Sequence, residues 1–106
     1  MANRAPSEKE RRRADQAMVA TYHQARLADL LENVRGGFAE YDAGRIDAFE
    51  LDGLIHQYKR ATIELWKFCA VSGSQLDFVA RTVECWREDK EEPDWWKSGA
   101  PQRRDR

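Results

Sequence analysis

The chain has 106 residues, 42% hydrophobic and 35% charged, with 18 Lys and Arg against 19 Asp and Glu. At that length it forms one small domain. Its formal net charge of -1 excludes a generally basic nucleic-acid binder and an acidic solvating protein.

Leu, Ile, Val and Phe number 19, just under the one-fifth share at which disorder becomes a concern, and 18 of them lie between Leu27 and Trp86. Residues 1–26 carry nine charges and residues 87–106 carry twelve. Burial alone cannot offset the ordering entropy of such flanks. The expected organisation is a charged N-terminal extension and helix start over 1–17, a helical core over 18–88, and a flexible acidic tail with two tryptophans over 89–106. No apolar run approaches the roughly 18 residues of a membrane span. The N-terminus MANRAPSEKERRR lacks the apolar stretch of a secretion signal. A cytoplasmic protein with Cys69 and Cys85 as buried free thiols is expected, one disulfide between helices being the alternative.

Capping patterns precede three periodic segments: Ser7 with Glu10, Asp47 with Glu50, and Ser74 with Asp77. The first helix is expected over Glu8–Asp42, with the stripe Leu27, Leu30, Leu31, Val34, Phe38 and Tyr41 facing the core. The stripe keeps phase across Gly36 and Gly37, so the helix continues or kinks there, and the glycines allow another backbone to approach. Ahead of Leu27 the stripe fades to Ala20 and His23, and the first turns are expected to project beyond the core. Ala43–Ile46 then makes a short connection, with Gly44 suited to the left-handed position after a helix end. So short a link forces antiparallel neighbours.

The second helix is expected over Asp47–Val71. Its stripe, Leu51, Leu54, Ile55, Tyr58, Thr62, Leu65, Trp66 and Cys69, with Ala61 and Phe68 on one flank, is wide enough to meet more than one helix. After the turn Ser72-Gly73-Ser74, a third helix over Gln75–Glu88 places Leu76, Val79, Val83 and Trp86 on one side. No segment alternates with period two, so strands are not expected. The fold class is all-α: a long antiparallel helical hairpin with a third, shorter helix, forming a three-helix bundle with a charged flexible tail.

Motifs for chemistry are sparse. Gly44 to Leu51 resembles the second half of an EF-hand loop, but Ala39, Tyr41 and Ala43 stand where calcium needs oxygen ligands. No zinc spacing exists, and no Glu-x-x-His elements recur as a bundle-core metal site requires. There is no G-x-S-x-G and no phosphate-cradling glycine loop. The chain is therefore read as a non-enzyme without a cofactor. The tail holds Glu88-Asp89-Lys90-Glu91-Glu92-Pro93-Asp94-Trp95-Trp96. Two tryptophans after an acidic run either fold back onto the helices or dock into a partner as aromatic anchors.

The segments Ile46-Asp47-Ala48-Phe49-Glu50, Leu54-Ile55-His56-Gln57-Tyr58-Lys59-Arg60 and Glu64-Leu65-Trp66-Lys67-Phe68 are similar to a set of small uncharacterised helical bacterial proteins. The resemblance covers about residues 38–69 and extends to Asp94-Trp95-Trp96. It implies a cytoplasmic bacterial protein and brings no activity, cofactor or site.

The function expected from these readings is a non-enzymatic helical protein-interaction or structural module. The hairpin can complete a four-helix bundle with its own copy as a homodimer, or meet another protein. Phe49, His56, Arg60 and Ile63, a mixed apolar and basic side of the second helix, are the expected contact residues together with Trp95 and Trp96. The bland alternative is a solvated helix face with pairs such as Arg60–Glu64. One functional alternative is a small nucleic-acid-associated regulator that uses Arg11, Arg12 and Arg13, next to Lys9 and Arg4, although Glu8, Glu10 and Asp15 dilute that cluster. Another is a minor metal-dependent activity around His56 and Asp52. No membrane association is expected.

Overall fold

A computed structural model of the chain describes residues 7–101. The first six residues of the expected N-terminal extension, Arg4 of the basic cluster among them, and the last five of the expected tail lie outside the described residues. Within them the chain is all-helical: α1 spans Glu8–Asp42, α2 Ala48–Cys69, α3 Ser74–Asp89 and α4 Trp95–Ser98.

Local chemistry sets the helix ends. The Ser7 hydroxyl accepts the Glu10 amide at 3.1 Å, and α1 then runs 35 residues, unbroken through Gly36 and Gly37. Gly44, at φ 77°, turns the chain after α1. Asp47 and Glu50 form a reciprocal capping box at the start of α2: the Glu50 amide donates to Asp47 Oδ1 at 2.8 Å and the Asp47 amide to Glu50 Oε1 at 3.3 Å. The expected box of Ser74 and Asp77 does not form. Gly73 is the N-cap of α3, at φ 63°, and no side chain caps that end. Ser74 is already helical there, so its hydroxyl lies past the point from which it could accept a first-turn amide. Lys90 closes α3 in the left-handed region at φ 58°.

α1 and α2 run antiparallel with a fixed register. At one end the rings of Tyr22 and Phe68 meet edge to face, with centroids 6.4 Å apart. At the other, a side chain on Gly37 would come within 2.9 Å of Leu54 Cδ1 and 3.3 Å of Leu51 Cδ1. Gly37 is thus buried because α2 sends two leucines onto it, a close approach by side chains rather than by backbone. α3 lies along the first half of α1. Leu76, Val79, Ala80 and Val83 pack with Val19, Ala61, Leu65 and Cys69 in one apolar cluster, and Leu65 is wholly buried. Burying one such leucine contributes about 2 kcal/mol.

Residues 8–14 of α1 are exposed, as the expectation of projecting first turns has it, but cover by this core begins at Asp15, well ahead of Leu27. Asp15 is 8% exposed and Val19 4% exposed, and Asp15 pairs with Arg81 of α3. Asp15, Val19 and Tyr22 occupy a different flank of α1 from Leu27 and Leu31, so the stripe does not fade there; it rotates to a second neighbour.

Residues 90–100 return onto the hairpin, where the sequence reading expects a flexible tail. Trp95 lies 5.7 Å from Phe68 and 6.5 Å from Trp86, ring to ring, and Phe68 stacks on Trp86 at 5.0 Å. Trp95 Nε1 donates to the Tyr22 hydroxyl at 2.8 Å. Glu92 accepts from that hydroxyl at 2.8 Å and from Arg26 at 2.7 Å. On the α2 side, Gln57 donates to the Trp96 carbonyl at 2.9 Å and Arg60 to the Gly99 carbonyl at 2.6 Å. Two half-buried indoles and five polar contacts to the hairpin supply what the high charge density of this segment withholds.

Candidate docking face on the helical hairpin

The placement of α3 and α4 leaves one side of the hairpin bare. On α1 the residues that meet α3 or the returning tail are Asp15, Tyr22 and Arg26; on α2 they are Gln57, Arg60 and Phe68. At 100° per residue these positions share one side of the α1–α2 plane. The stripe Leu27, Leu31, Val34, Phe38 and Tyr41, spaced four, three, four and three, lies on the other side of α1. Ile55, Tyr58, Thr62 and Trp66 lie on the other side of α2. No element among the described residues covers that side.

Exposure follows the geometry. Leu30, which points between the helices, is 2% exposed, whereas its neighbour Leu31 is 46% exposed. Phe38 is 46%, Tyr41 43% and Trp66 60% exposed. Leu27, Val34, Ile55, Tyr58 and Thr62 are half-buried and form the floor between them. The result is a shallow apolar strip rimmed by charge, the surface type that marks association sites. At these exposures the four large side chains leave about 400 Å² in water there, taking 150–250 Å² for a whole aromatic side chain.

The residues singled out from sequence fall elsewhere. Phe49 (88% exposed), His56 and Ile63 point away from both α1 and the bare strip. His56 Nε2 sits 3.2 Å from Asp52 Oδ2, an exposed i, i+4 pair. Among the described residues no three His, Cys, Asp or Glu side chains converge as metal ligands. Arg60 holds the tail by its bond to Gly99, not Glu64, which pairs with Lys67 at 3.0 Å. Trp95 and Trp96 pack on the chain's own core cluster, the fold-back rather than the partner-anchor arrangement. Arg11, Arg12 and Arg13 are exposed on the first turns of α1. Arg11 and Arg12 face a hollow they share with Glu8, Asp15 and Asp77, so carboxylates outnumber cations there.

The structure brings together Leu31, Phe38, Tyr41 and Trp66, which periodicity assigns to the core. One signal in the sequence marks two of them, Leu31 and Trp66. Leu30 and Leu31 are adjacent, and Leu65 and Trp66 are adjacent. Each pair spans 100° of helix surface, more than one antiparallel neighbour covers.

Other reactive groups belong to the core. Burial pushes the Cys69 thiol up to about 11, and burial is also the main cause of the upward shift of the Tyr22 phenol, with Trp95 opposing it and Glu92 adding to it. Cys69 is buried and Cys85 exposed, and both are free. The expectation of two buried thiols therefore holds for one: Cys85 lies beside the apolar line of α3, not on it. Among the described residues no helix is long and apolar enough to cross a membrane. Comparison with protein-family models, curated proteins and solved structures finds no match.

Proposed function

We propose that this protein is a non-enzymatic helical interaction module. In this reading α1, α2 and α3 are a three-helix bundle, and the α1–α2 side left bare by α3 and α4 is its working surface. The observation that carries the reading is the joint exposure of Leu31, Phe38, Tyr41 and Trp66 on one side of the hairpin. Exposed singly, such residues are ordinary; side by side on a small domain they mark a surface that functions by being covered. Phe49, Ile63 and Phe78 are as exposed but scattered, and they carry no such argument.

A photo-activated cross-linking residue placed at Phe38 of the full chain, in cells that express it, tests the reading. Cross-linked protein is expected from position 38 and not from Phe78, an exposed phenylalanine on α3. Equal yields at the two positions, or none at Phe38, overturn it.

A further inference from the structure

We infer that the bare face of the hairpin is occupied by a second copy of this chain, with α1 of one copy laid along α2 of the other. The inference rests on the interaction reading above and names its partner. Area is the first argument. The four exposed side chains leave about 400 Å² of mostly apolar surface per chain, and interfaces are roughly 56–65% apolar. A face of that apolar content corresponds to about 650 Å² per chain in total, inside the range of about 600–1,000 Å² per partner that stable interfaces bury.

Charge order is the second. Tyr22 lies opposite Phe68, and Gly37 opposite Leu51 and Leu54, so position n of α1 is level with position 90 − n of α2. The outer edge of α1 carries Arg35, next to the exposed stripe and paired within its own helix with Glu32 at 3.2 Å. The outer edge of α2 carries Asp52, about one turn nearer the loop than the level of Arg35. A two-fold axis parallel to the helices sets α1 on the partner's α2 at the same level. Arg35 then lies near the partner's Asp52, opposite charges at the two edges that meet. Phe38 meets the partner's Ile55, and the partner's Trp66 reaches Leu27. Each contact occurs twice, as an isologous interface requires, and every helix in the resulting four-helix layer has antiparallel neighbours.

Sedimentation of the full chain over a concentration series tests this. A reversible dimer forming below about 10 µM is expected, the weak end of the range for interfaces of this size. The pair Leu31→Glu and Phe38→Glu replaces half-exposed side chains, so helicity by circular dichroism is unchanged while the chain becomes monomeric. Arg35→Glu places two carboxylates together and weakens the dimer roughly tenfold, since it acts at two symmetric sites; Asp52→Arg in the same chain restores it. A wild-type monomer at about 100 µM, or a dimer indifferent to Leu31→Glu and Phe38→Glu, overturns the proposal. A dimer unmoved by Arg35→Glu overturns the α1-on-α2 pairing. The cross-linking experiment separates the two readings. A monomeric chain that cross-links through Phe38 to a different protein removes the second copy and leaves the docking face, whereas a monomer that cross-links to nothing removes both.

Discussion

The indole N–H of Trp95 donates to the phenolic oxygen of Tyr22 at 2.8 Å, and that hydroxyl donates in turn to Glu92 at 2.8 Å. One oxygen on α1 thus holds the returning segment at two points, 70 and 73 residues along the chain. Tyr22→Phe keeps the ring that packs on Phe68 and Trp86 and removes only this oxygen. It leaves the half-buried Trp95 N–H without an acceptor, a loss of about 1–2 kcal/mol. Urea unfolding followed by circular dichroism should show that loss. Amide exchange should quicken over residues 92–100 more than in α3. Uniform quickening across the chain would mean that the hydroxyl stabilises the whole fold and not the return of the tail.

The far end of that segment depends on a missing side chain. A Cβ on Gly99 would stand 2.4 Å from the Gln57 carbonyl oxygen and 2.5 Å from the Ala61 amide nitrogen. Both are α2 backbone atoms and cannot swing aside. Gly99→Ala should therefore lift residues 97–100 from α2 and break the bonds from Arg60 to the Gly99 carbonyl and from Gln57 to the Trp96 carbonyl. The expected cost is about 2 kcal/mol, the scale of overpacking a close contact. Limited proteolysis near Lys97 should accelerate while α1 and α2 stay intact. Unchanged protection at Lys97 would show that α4 is not held by this contact.

The two ends of the chain differ in how far the sequence discloses them. The long helices announce themselves because Leu30, Leu51, Leu65 and Val83 repeat at helical spacing and Asp47 with Glu50 caps locally. The return of the tail is hidden for the opposite reason. Its stabilising contacts join Trp95 to Tyr22 and Gly99 to Gln57, across distances over which composition and periodicity carry no information. The bare face is half legible: adjacent apolar residues reveal a stripe too wide for one neighbour, but only the placement of α3 and α4 decides which flank stays open.

Gly36 and Gly37 allow a comparison within one helix. A Cβ at Gly36 meets nothing within 4 Å, whereas one at Gly37 meets Leu54 and Leu51. Gly36→Ala should raise stability by about 1 kcal/mol, the helix-propensity difference alone. Gly37→Ala gains the same propensity but forces both leucines to give, so its thermal midpoint should fall below that of Gly36→Ala. Equal midpoints would show that the leucine tips move freely and that α2 is not seated closely on α1.

Alkaline pH should loosen the core before it affects the surface. Burial raises the Cys69 thiol from 9.0 to about 11 and also raises the Tyr22 phenol. Both groups are neutral when protonated, so the folded chain holds these protons more tightly than the unfolded chain does. The Cys69 contribution is complete below about pH 9 and is lost as pH rises from 9 through 11, and that of Tyr22 is lost at higher pH. Denaturant midpoints measured from pH 7 to 11 should be flat at first and then fall. Cys69→Ala should soften the fall between pH 9 and 11, while Cys85→Ala, at an exposed thiol, should leave it unchanged. A thiol reagent at neutral pH should consume Cys85 at once and Cys69 only at the rate at which the core opens. Equal reaction at both thiols in the folded protein would contradict the burial of Cys69 and the alkaline loss derived from it.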